Sequence, residues 1–163
     1  MTSFLTIDLH KCTGCRNCEL ACSAAHTNSF NPRRSRIQIL KDEVRNLVVP
    51  MVCLQCEDPL CEQACPNSAI SYNERGILVV DSKVCIGCMN CITECIYGGI
   101  EIDPGTLKAV KCDLCSGDPA CMKACEYGAI SLVEAKEEGL KTRRAGIDIA
   151  YQTIGMKTGE AQE

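Results

Sequence analysis

The sequence of 163 residues has no tryptophan, only two phenylalanines and only four tyrosines. Large aromatic side chains contribute much of the apolar area of an ordinary core, so a conventional aromatic core is not expected. No apolar run approaches the roughly 20 residues of a membrane-spanning helix, and the first ten residues lack the basic start and apolar stretch of a signal peptide. We therefore expect a cytoplasmic protein without a direct membrane span.

A large excess of charge of one sign is also missing. The formal net charge is -4, and the basic residues are not gathered into a single block, so no nucleic-acid partner is expected. Cysteine, in contrast, is abundant, with sixteen residues. In a reducing compartment, such a content favours thiolates bound to metal over a disulfide framework.

The cysteines fall into four groups of four, and none is left over. In chain order the groups are Cys12, Cys15, Cys18 and Cys22; Cys53, Cys56, Cys61 and Cys65; Cys85, Cys88, Cys91 and Cys95; and Cys112, Cys115, Cys121 and Cys125. The first and third groups share C-x-G-C-x-N-C-x-x-x-C, each preceded by an aspartate, Asp8 or Asp81. The second and fourth groups have a wider gap that ends in Asp-Pro. This alternation indicates an internal duplication.

Short elements are predicted around these groups. Apolar segments that start four residues after a last cysteine predict strands over 69–72, 99–102 and 129–132, and the turn-rich residues 73–76 predict a hairpin over 70–80. Helical turns are predicted over 90–95 and 120–125. Two regions outside the repeat are candidates for partner contact: an insert over 31–49 that contains the cluster Arg33, Arg34 and Arg36, and a cysteine-free tail over 134–163 with Ile147, Ile149, Ile154 and Met156.

The spacing within the groups predicts four [4Fe-4S] clusters. Three cysteines at C-x-x-C-x-x-C wrap a loop around one face of an inorganic core, which is the bacterial [4Fe-4S] pattern. Gly14 and Gly87 fit this pattern, because a residue without Cβ lets the backbone pass close to a sulfide. A structural zinc site commonly uses two C-x-x-C pairs separated by a longer stretch, which these compact groups match poorly. All sixteen cysteines are therefore predicted to bind iron.

Several ionisable residues lie next to these cysteines. His10 and His26 are each within four residues of one, and the adjacent cations are Lys11, Arg16, Lys83, Lys111 and Lys123. A cation beside an anionic cluster would raise its reduction potential, whereas the alternative for each is an ordinary solvated charge. The sequence also contains no arrangement of nucleophile, base and orienting acid, so the chain is predicted not to be an enzyme.

Over residues 4–133 the sequence resembles the four-cluster ferredoxin-like electron-transfer subunits, the beta subunits of formate dehydrogenase, dimethyl sulfoxide reductase and hydrogenase complexes. Within that family it is most similar to the small polyferredoxin subunit of tungsten-containing aldehyde oxidoreductases. The resemblance implies an α+β fold of two fused bacterial-ferredoxin-like modules, each for two [4Fe-4S] clusters, plus a C-terminal extension. Module one would comprise about 1–30 and 104–133, and module two about 50–103.

The resemblance also implies nested pairing, in which the first group shares a module with the fourth and the second with the third. The four ligand sets would be Cys12, Cys15, Cys18 and Cys125; Cys53, Cys56, Cys61 and Cys95; Cys85, Cys88, Cys91 and Cys65; and Cys112, Cys115, Cys121 and Cys22. The spacing alone leaves a sequential pairing open, in which the first group shares a module with the second and the third with the fourth.

The function implied by the resemblance is electron relay between a catalytic oxidoreductase subunit and another redox partner. The expected partner is a tungsten or molybdenum pterin enzyme such as aldehyde oxidoreductase, with a flavin subunit or further copies of the chain as additional partners. The alternatives are a free polyferredoxin that serves several enzymes, and an electron-transfer subunit of a hydrogenase or CO dehydrogenase system.

Overall fold

The computed structural model describes residues 3–134, 136–141, 145, 148 and 152. It has the predicted α+β composition, with short helices and short strands around the cysteine groups. No helix among these residues combines the length and the apolar character needed to cross a membrane. Ile147, Ile149, Ile154 and Met156, on which the predicted partner contact of the tail depends, lie outside the described residues.

The strands form four separate antiparallel pairs. In chain order the strands are β1 (Ser3–Ile7), β2 (Ile37–Asp42), β3 (Leu47–Val52), β4 (Ile70–Tyr72), β5 (Leu78–Val80), β6 (Ile100–Ile102), β7 (Ala109–Lys111) and β8 (Ile130–Glu134). β1 pairs with β8, so the two ends of the cysteine-bearing region meet, with Leu5 opposite Leu132. The other pairs are the hairpins β2–β3, β4–β5 and β6–β7.

Residues 137–141 of the tail are helical, and four further helices lie within or directly after a cysteine group. They are α1 (Asn17–Thr27), α2 (Leu60–Gln63), α3 (Asn90–Thr93) and α4 (Ala120–Lys123), and 3-10 turns cover Pro32–Arg34 and Leu114–Gly117. The predicted turns at 90–95 and 120–125 and the predicted hairpin at 70–80 are confirmed. α1 is longer than a single turn and buries Glu19, whose carboxylate accepts a hydrogen bond from the backbone N–H of Ile39 at 2.6 Å.

The insert packs onto the body of the protein through two of its arginines. Arg34 binds both carboxylate oxygens of Asp103, at 2.6 and 3.0 Å. Arg36 pairs with Asp113 at 2.5 Å. Because Asp103 follows β6 and Asp113 lies within the fourth cysteine group, these ion pairs tie the insert to the second half of the chain. Arg34 and Arg36 are therefore engaged in ion pairs within the chain.

Cysteine makes up a large part of the core. Among the described residues, eight of the 24 buried apolar residues are cysteines. Two apolar clusters form, one around Leu5, Ile37 and Leu114, the other around Ile70, Leu78 and Ile100. The first cluster contains thiols from three cysteine groups and the second contains thiols from two. A core built this way depends on what its thiols bind, since few large apolar side chains support it.

Candidate metal centre

All sixteen cysteines are free thiols, with no disulfide among them. They gather in four clusters, which we name sites I to IV. Site I contains Cys12, Cys15, Cys18 and Cys125; site II contains Cys22, Cys112, Cys115 and Cys121; site III contains Cys53, Cys56, Cys61 and Cys95; site IV contains Cys65, Cys85, Cys88 and Cys91. Each site takes three thiols from one group and one from another, as nested pairing would require. The role of these thiols as iron ligands stays a prediction.

Sites II and IV are concave. The four thiols of site II line one pocket, and those of site IV line another. The pKa of Cys121 in site II is raised to about 12, mainly by burial and in part by the nearby thiols of Cys22 and Cys115. In site IV, the pKa of Cys91 is raised to about 11, mainly by burial and in part by the other three thiols. Such buried thiols favour a bound cationic centre over free thiolates.

Sites I and III show the same electrostatic coupling. Burial raises the pKa of Cys12, and the thiols of Cys125 and Cys15 raise it further. Burial likewise raises the pKa of Cys61, with Cys53, Cys95 and Cys56 as additional causes. Cys125 and Cys95 are therefore close to thiols that are far from them in the sequence.

The four sites follow one another in a row. Three thiols have a pKa that is raised mainly by burial and in part by a thiol of the neighbouring site. Cys18 contributes to the raised pKa of Cys121, Cys53 to that of Cys112, and Cys61 to that of Cys91. These pairs join site I to site II, site II to site III, and site III to site IV. The packing agrees with this order, because thiols of sites I, II and III lie in one apolar cluster and thiols of sites III and IV lie in the other.

Backbone N–H groups point at the last thiol of each group. Three of these bonds come from the residue four positions later: Ala69 donates to Cys65 at 3.2 Å, Gly99 to Cys95 at 3.3 Å and Ala129 to Cys125 at 3.2 Å. The N–H of Arg36 donates to Cys22 at 3.3 Å. Hydrogen bonds of this kind stabilise a sulfur that carries negative charge, as a metal-bound thiolate does.

The first C-x-x-C of every group has the same backbone conformation. The residue before the second cysteine has a positive φ in all four groups: 68° at Gly14, 50° at Gln55, 72° at Gly87 and 57° at Leu114. A Cβ at Gly87 would lie 2.3 Å from the carbonyl oxygen of Leu107, so glycine is required there by its neighbour as well as by its φ. The second and fourth groups use larger residues at this position and bury them.

The spacing of the thiols does not suit a single zinc ion. Thiolates that share one tetrahedral zinc, at about 2.3 Å each, lie about 3.8 Å apart. Among the described residues, the one trio of possible ligand atoms that all lie within 4.8 Å of one another is His26, Asp113 and Cys115. No three thiols in that part of the chain are so close. The fourfold thiol sets therefore fit a larger inorganic core, in which each thiolate binds its own metal atom.

The two histidines have different surroundings. The Nε2 atom of His26 lies 3.5 Å from the Sγ atom of Cys115 and 3.5 Å from a carboxylate oxygen of Asp113. Burial lowers the pKa of His26, the charge of Arg36 lowers it further, and Asp113 opposes both. His10 is exposed. Of the two, only His26 touches a thiol of a site.

The five cations beside the cysteines also differ. Lys11, Arg16 and Lys123 have side chains at least half exposed, and Lys83 is exposed as well. Lys111 is 2% exposed. Four of the cations are therefore ordinary solvated charges, whereas Lys111 is not.

The buried amide of Gln55 is a further element of the site that the sequence did not reveal. Its Nε2 group donates to the carbonyl oxygens of Cys112 at 2.8 Å and Leu78 at 3.3 Å, and its Oε1 atom accepts from the N–H of Leu78 at 2.8 Å. Gln55 lies between Cys53 and Cys56, so this side chain ties the loop of site III to the backbone of site II. The sequence feature that could have indicated this role is a polar residue, Gln55, at the position where two other cysteine groups have glycine.

The comparisons with known proteins agree with this chemistry. The sequence model of a family described as a 4Fe-4S dicluster domain matches residues 44–135. The putative electron transport protein YsaA of Escherichia coli (strain K12) is 38% identical over 122 residues, which are 69% of this chain and 76% of that protein. One of the subunits of tetrathionate reductase from Salmonella typhimurium is 34% identical over 66% of this chain, but the match spans only 46% of that relative.

A solved structure extends the likeness to nearly the whole chain. One chain of the active site complex BamBC of benzoyl coenzyme A reductase, in complex with benzoyl-CoA, matches with 29% identity and a TM-score of 0.50. The match covers 94% of this chain and 97% of that chain. The likeness therefore spans nearly the whole of both chains.

Proposed function

Because this chain belongs to the 4Fe-4S dicluster domain family, we propose that it is a non-catalytic electron-transfer subunit with one [4Fe-4S] cluster in each of sites I to IV. The observation that carries the proposal is the linear order of four sites, each with four free thiols. The predicted resemblance to ferredoxin-like electron-transfer subunits is confirmed at the level of the family. The number of clusters and the ligand sets belong to the proposal.

The residues of the sites fit the proposed groups. When bound, such clusters accept and release single electrons, at potentials set by hydrogen bonds, charge and exposure around them. The chain contributes four thiolates per site and backbone N–H donors to the last thiol of each group. Gln55 ties the loop of site III to the backbone of Leu78 and Cys112, and fixed contacts of this kind limit rearrangement of the protein during electron transfer.

The two ends of the row are the expected points of electron entry and exit. Cys15 in site I and Cys88 in site IV are exposed, whereas the other fourteen cysteines are buried or half-buried. Electron exchange between proteins falls off with distance, so the sites nearest the surface serve external partners. Sites II and III then serve only to connect the two ends.

The proposal that the chain is not itself an enzyme is supported by the surroundings of its most buried histidine. Among the described residues, the one histidine near an acid and a thiol is His26, and that thiol, Cys115, belongs to site II. The mixed trio of His26, Asp113 and Cys115 is therefore not an independent site. We propose that bond-making chemistry takes place on a separate protein chain.

The proposed partner is a catalytic oxidoreductase subunit in the reducing cytoplasm. Support comes from a relative named as one of the subunits of a reductase and from the chain of the BamBC complex. We retain a tungsten or molybdenum pterin enzyme such as aldehyde oxidoreductase as the first candidate for that subunit. The second candidate function is a free electron carrier, which the name of YsaA as an electron transport protein favours.

Anaerobic purification from the native source tests both parts of the proposal. We expect a brown protein with about sixteen irons per chain, reducible by dithionite, and a native mass spectrum that contains a second, larger subunit with its own cofactor. A colourless protein loaded with zinc, or one with far fewer than sixteen irons, would refute the clusters. A monomer with full iron content that reduces several unrelated acceptors would support the free carrier instead.

A further inference from the structure

Lys111 is a buried cation without a partner. It is the last residue of β7, and its side chain shares the inward face of that strand with Ala109. Among the described residues, its Nζ group has no hydrogen-bond partner. Leaving an ammonium group in this state is costly unless negative charge is nearby, so its surroundings must supply that charge.

The negative charge that Lys111 faces is that of site III. In the β6–β7 pair, Lys111 lies opposite Ile100, which packs in the same apolar cluster as Cys61, and the residue before Ile100, Gly99, donates its N–H to Cys95 of site III. Burial raises the pKa of Cys61, and the charge of Lys111 lowers it. The backbone of Lys111, however, leads directly into Cys112 of site II. The lysine therefore lies at the junction of the two middle sites, with its charge directed at site III.

The internal duplication provides a comparison within the same chain. Lys111 precedes the first cysteine of the fourth group, and Val52 holds the same place before the second group. Both residues are buried, at 2% and 3% exposure. Val52 lines the cavity of site II, whereas Lys111 faces site III. Sites II and III thus have matching thiol sets, but only site III has a buried cation in this position.

We propose that Lys111 raises the reduction potential of the centre at site III above that of its counterpart at site II. This inference rests on the proposed function, because it requires [4Fe-4S] clusters in both sites. Adding an electron makes the site more negative, and a fixed positive charge stabilises that reduced form more than the oxidised one. In a low-dielectric interior without another partner, the lysine charge is weakly screened, so its effect is larger than that of the surface cations. Electrons in the middle of the row would then rest on site III.

Replacement of Lys111 by methionine and by glutamine removes the charge while largely keeping the side-chain length. Iron content is measured first, and a wild-type protein without about sixteen irons would contradict the proposed function before Lys111 is considered. Redox titration followed by electron paramagnetic resonance then gives the midpoint potentials. We expect one component to become at least tenfold harder to reduce in both variants, which is 59 mV or more for one electron. The midpoint potentials of the other components should shift by less than the equivalent of a threefold change in the equilibrium constant for reduction.

Two control variants separate charge from packing. Lys111→Arg keeps the charge and should keep the wild-type midpoints. Lys123→Met removes an exposed cation two residues from Cys121, and should move no midpoint by more than threefold. If neutral variants lose iron while Lys111→Arg retains it with wild-type midpoints, the need for charge is supported. The proposal is overturned if every midpoint potential in the neutral Lys111 variants shifts by less than the equivalent of a threefold change in the equilibrium constant. It is also overturned if Lys123→Met shifts a midpoint as much as the neutral Lys111 variants do, or if Lys111→Arg also loses its iron.

Discussion

Replacement of Gln55 by methionine should weaken the junction between sites II and III. The change keeps an unbranched side chain of similar length, which suits the positive φ of 50° at this position as well as glutamine does. It removes the acceptor of the Leu78 N–H and the donor to the Cys112 carbonyl, both of which are buried contacts. The backbone N–H of Gln55, which donates to Cys53, is not affected.

The size of the effect follows from those two contacts. A buried donor left without an acceptor costs about 1–3 kcal/mol, and loss of a second neutral hydrogen bond costs about 0.5–1.5 kcal/mol. Together these give about 1.5–4.5 kcal/mol, or a ten- to thousandfold change in an equilibrium or rate constant. Gln55→Glu should be at least as harmful, because its carboxylate would face the carbonyl oxygens of Cys112 and Leu78.

The assay is anaerobic unfolding in guanidinium chloride, followed by loss of visible absorption, because unfolding and loss of clusters are coupled and the stability is best measured as a rate. Gln63→Met is the matched control, since Gln63 is an exposed glutamine two residues after Cys61. An exposed substitution should stay within about 0.5 kcal/mol, or about threefold in rate. Unfolding of the Gln55→Met protein at a rate within threefold of the wild type would refute the reasoning.

Three further predictions concern ligand sets, the insert and the metal. Cys22→Ala should lower the iron content by no more than about four per chain. Adding Cys115→Ala to this variant should cause no further loss of iron, whereas adding Cys56→Ala should cause a further loss. Sequential pairing would give the reverse result for the two double variants. Asp103→Asn should increase hydrogen exchange of residues 32–36 and 103–107, because the doubly bonded ion pair to Arg34 is lost, while Asp58→Asn should not. Iron chelation should abolish most far-UV circular dichroism, and zinc should not restore it, since thiols form a third of the apolar core.

The features predicted from sequence are those with a local signal. The strands predicted to begin at residues 69, 99 and 129 are present and start one residue later, as β4, β6 and β8. Their prediction worked because the same apolar segment follows three cysteine groups at a fixed distance. The helical turns in the third and fourth groups were also predicted, since two cysteines a turn apart suit a helix.

The features that were missed depend on distant contacts. β1 pairs with β8, more than 120 residues away in the sequence, and no local pattern points to such a partner. The helix α1 was not predicted. It continues beyond Cys22 to Thr27 and ends at Asn28, which has the left-handed conformation. The inward role of Arg34 and Arg36 depends on aspartates that lie 69 and 77 positions later.

Gln55 and Lys111 show the limit most clearly. A three-residue strand such as β7 is too short for alternation to reveal which face is buried, so Lys111 was indistinguishable from four solvated cations in the sequence. The role of Gln55 was not predicted for a different reason. The position with positive φ in the loop is glycine in the first and third groups of this chain but a larger residue in the second and fourth, so the four positions do not look alike in the sequence. In both cases, the side chain matters because of the neighbouring site, which lies in a different cysteine group.

Gln55 and Lys111 both lie between sites II and III, in the middle of the row of sites, and the order of the sites gives this position its importance. Sites I and IV take three thiols each from the two C-x-G-C groups, and sites II and III take three each from the two Asp-Pro groups, so the row reads the same from either end. A row with such symmetry gives electrons no preferred direction by itself. Any preference must come from departures from the duplication, and a buried departure that changes the charge between the middle sites is lysine at 111 in place of valine at 52. Exchange of this one charge should therefore change where an electron rests in the row without changing the fold that holds it.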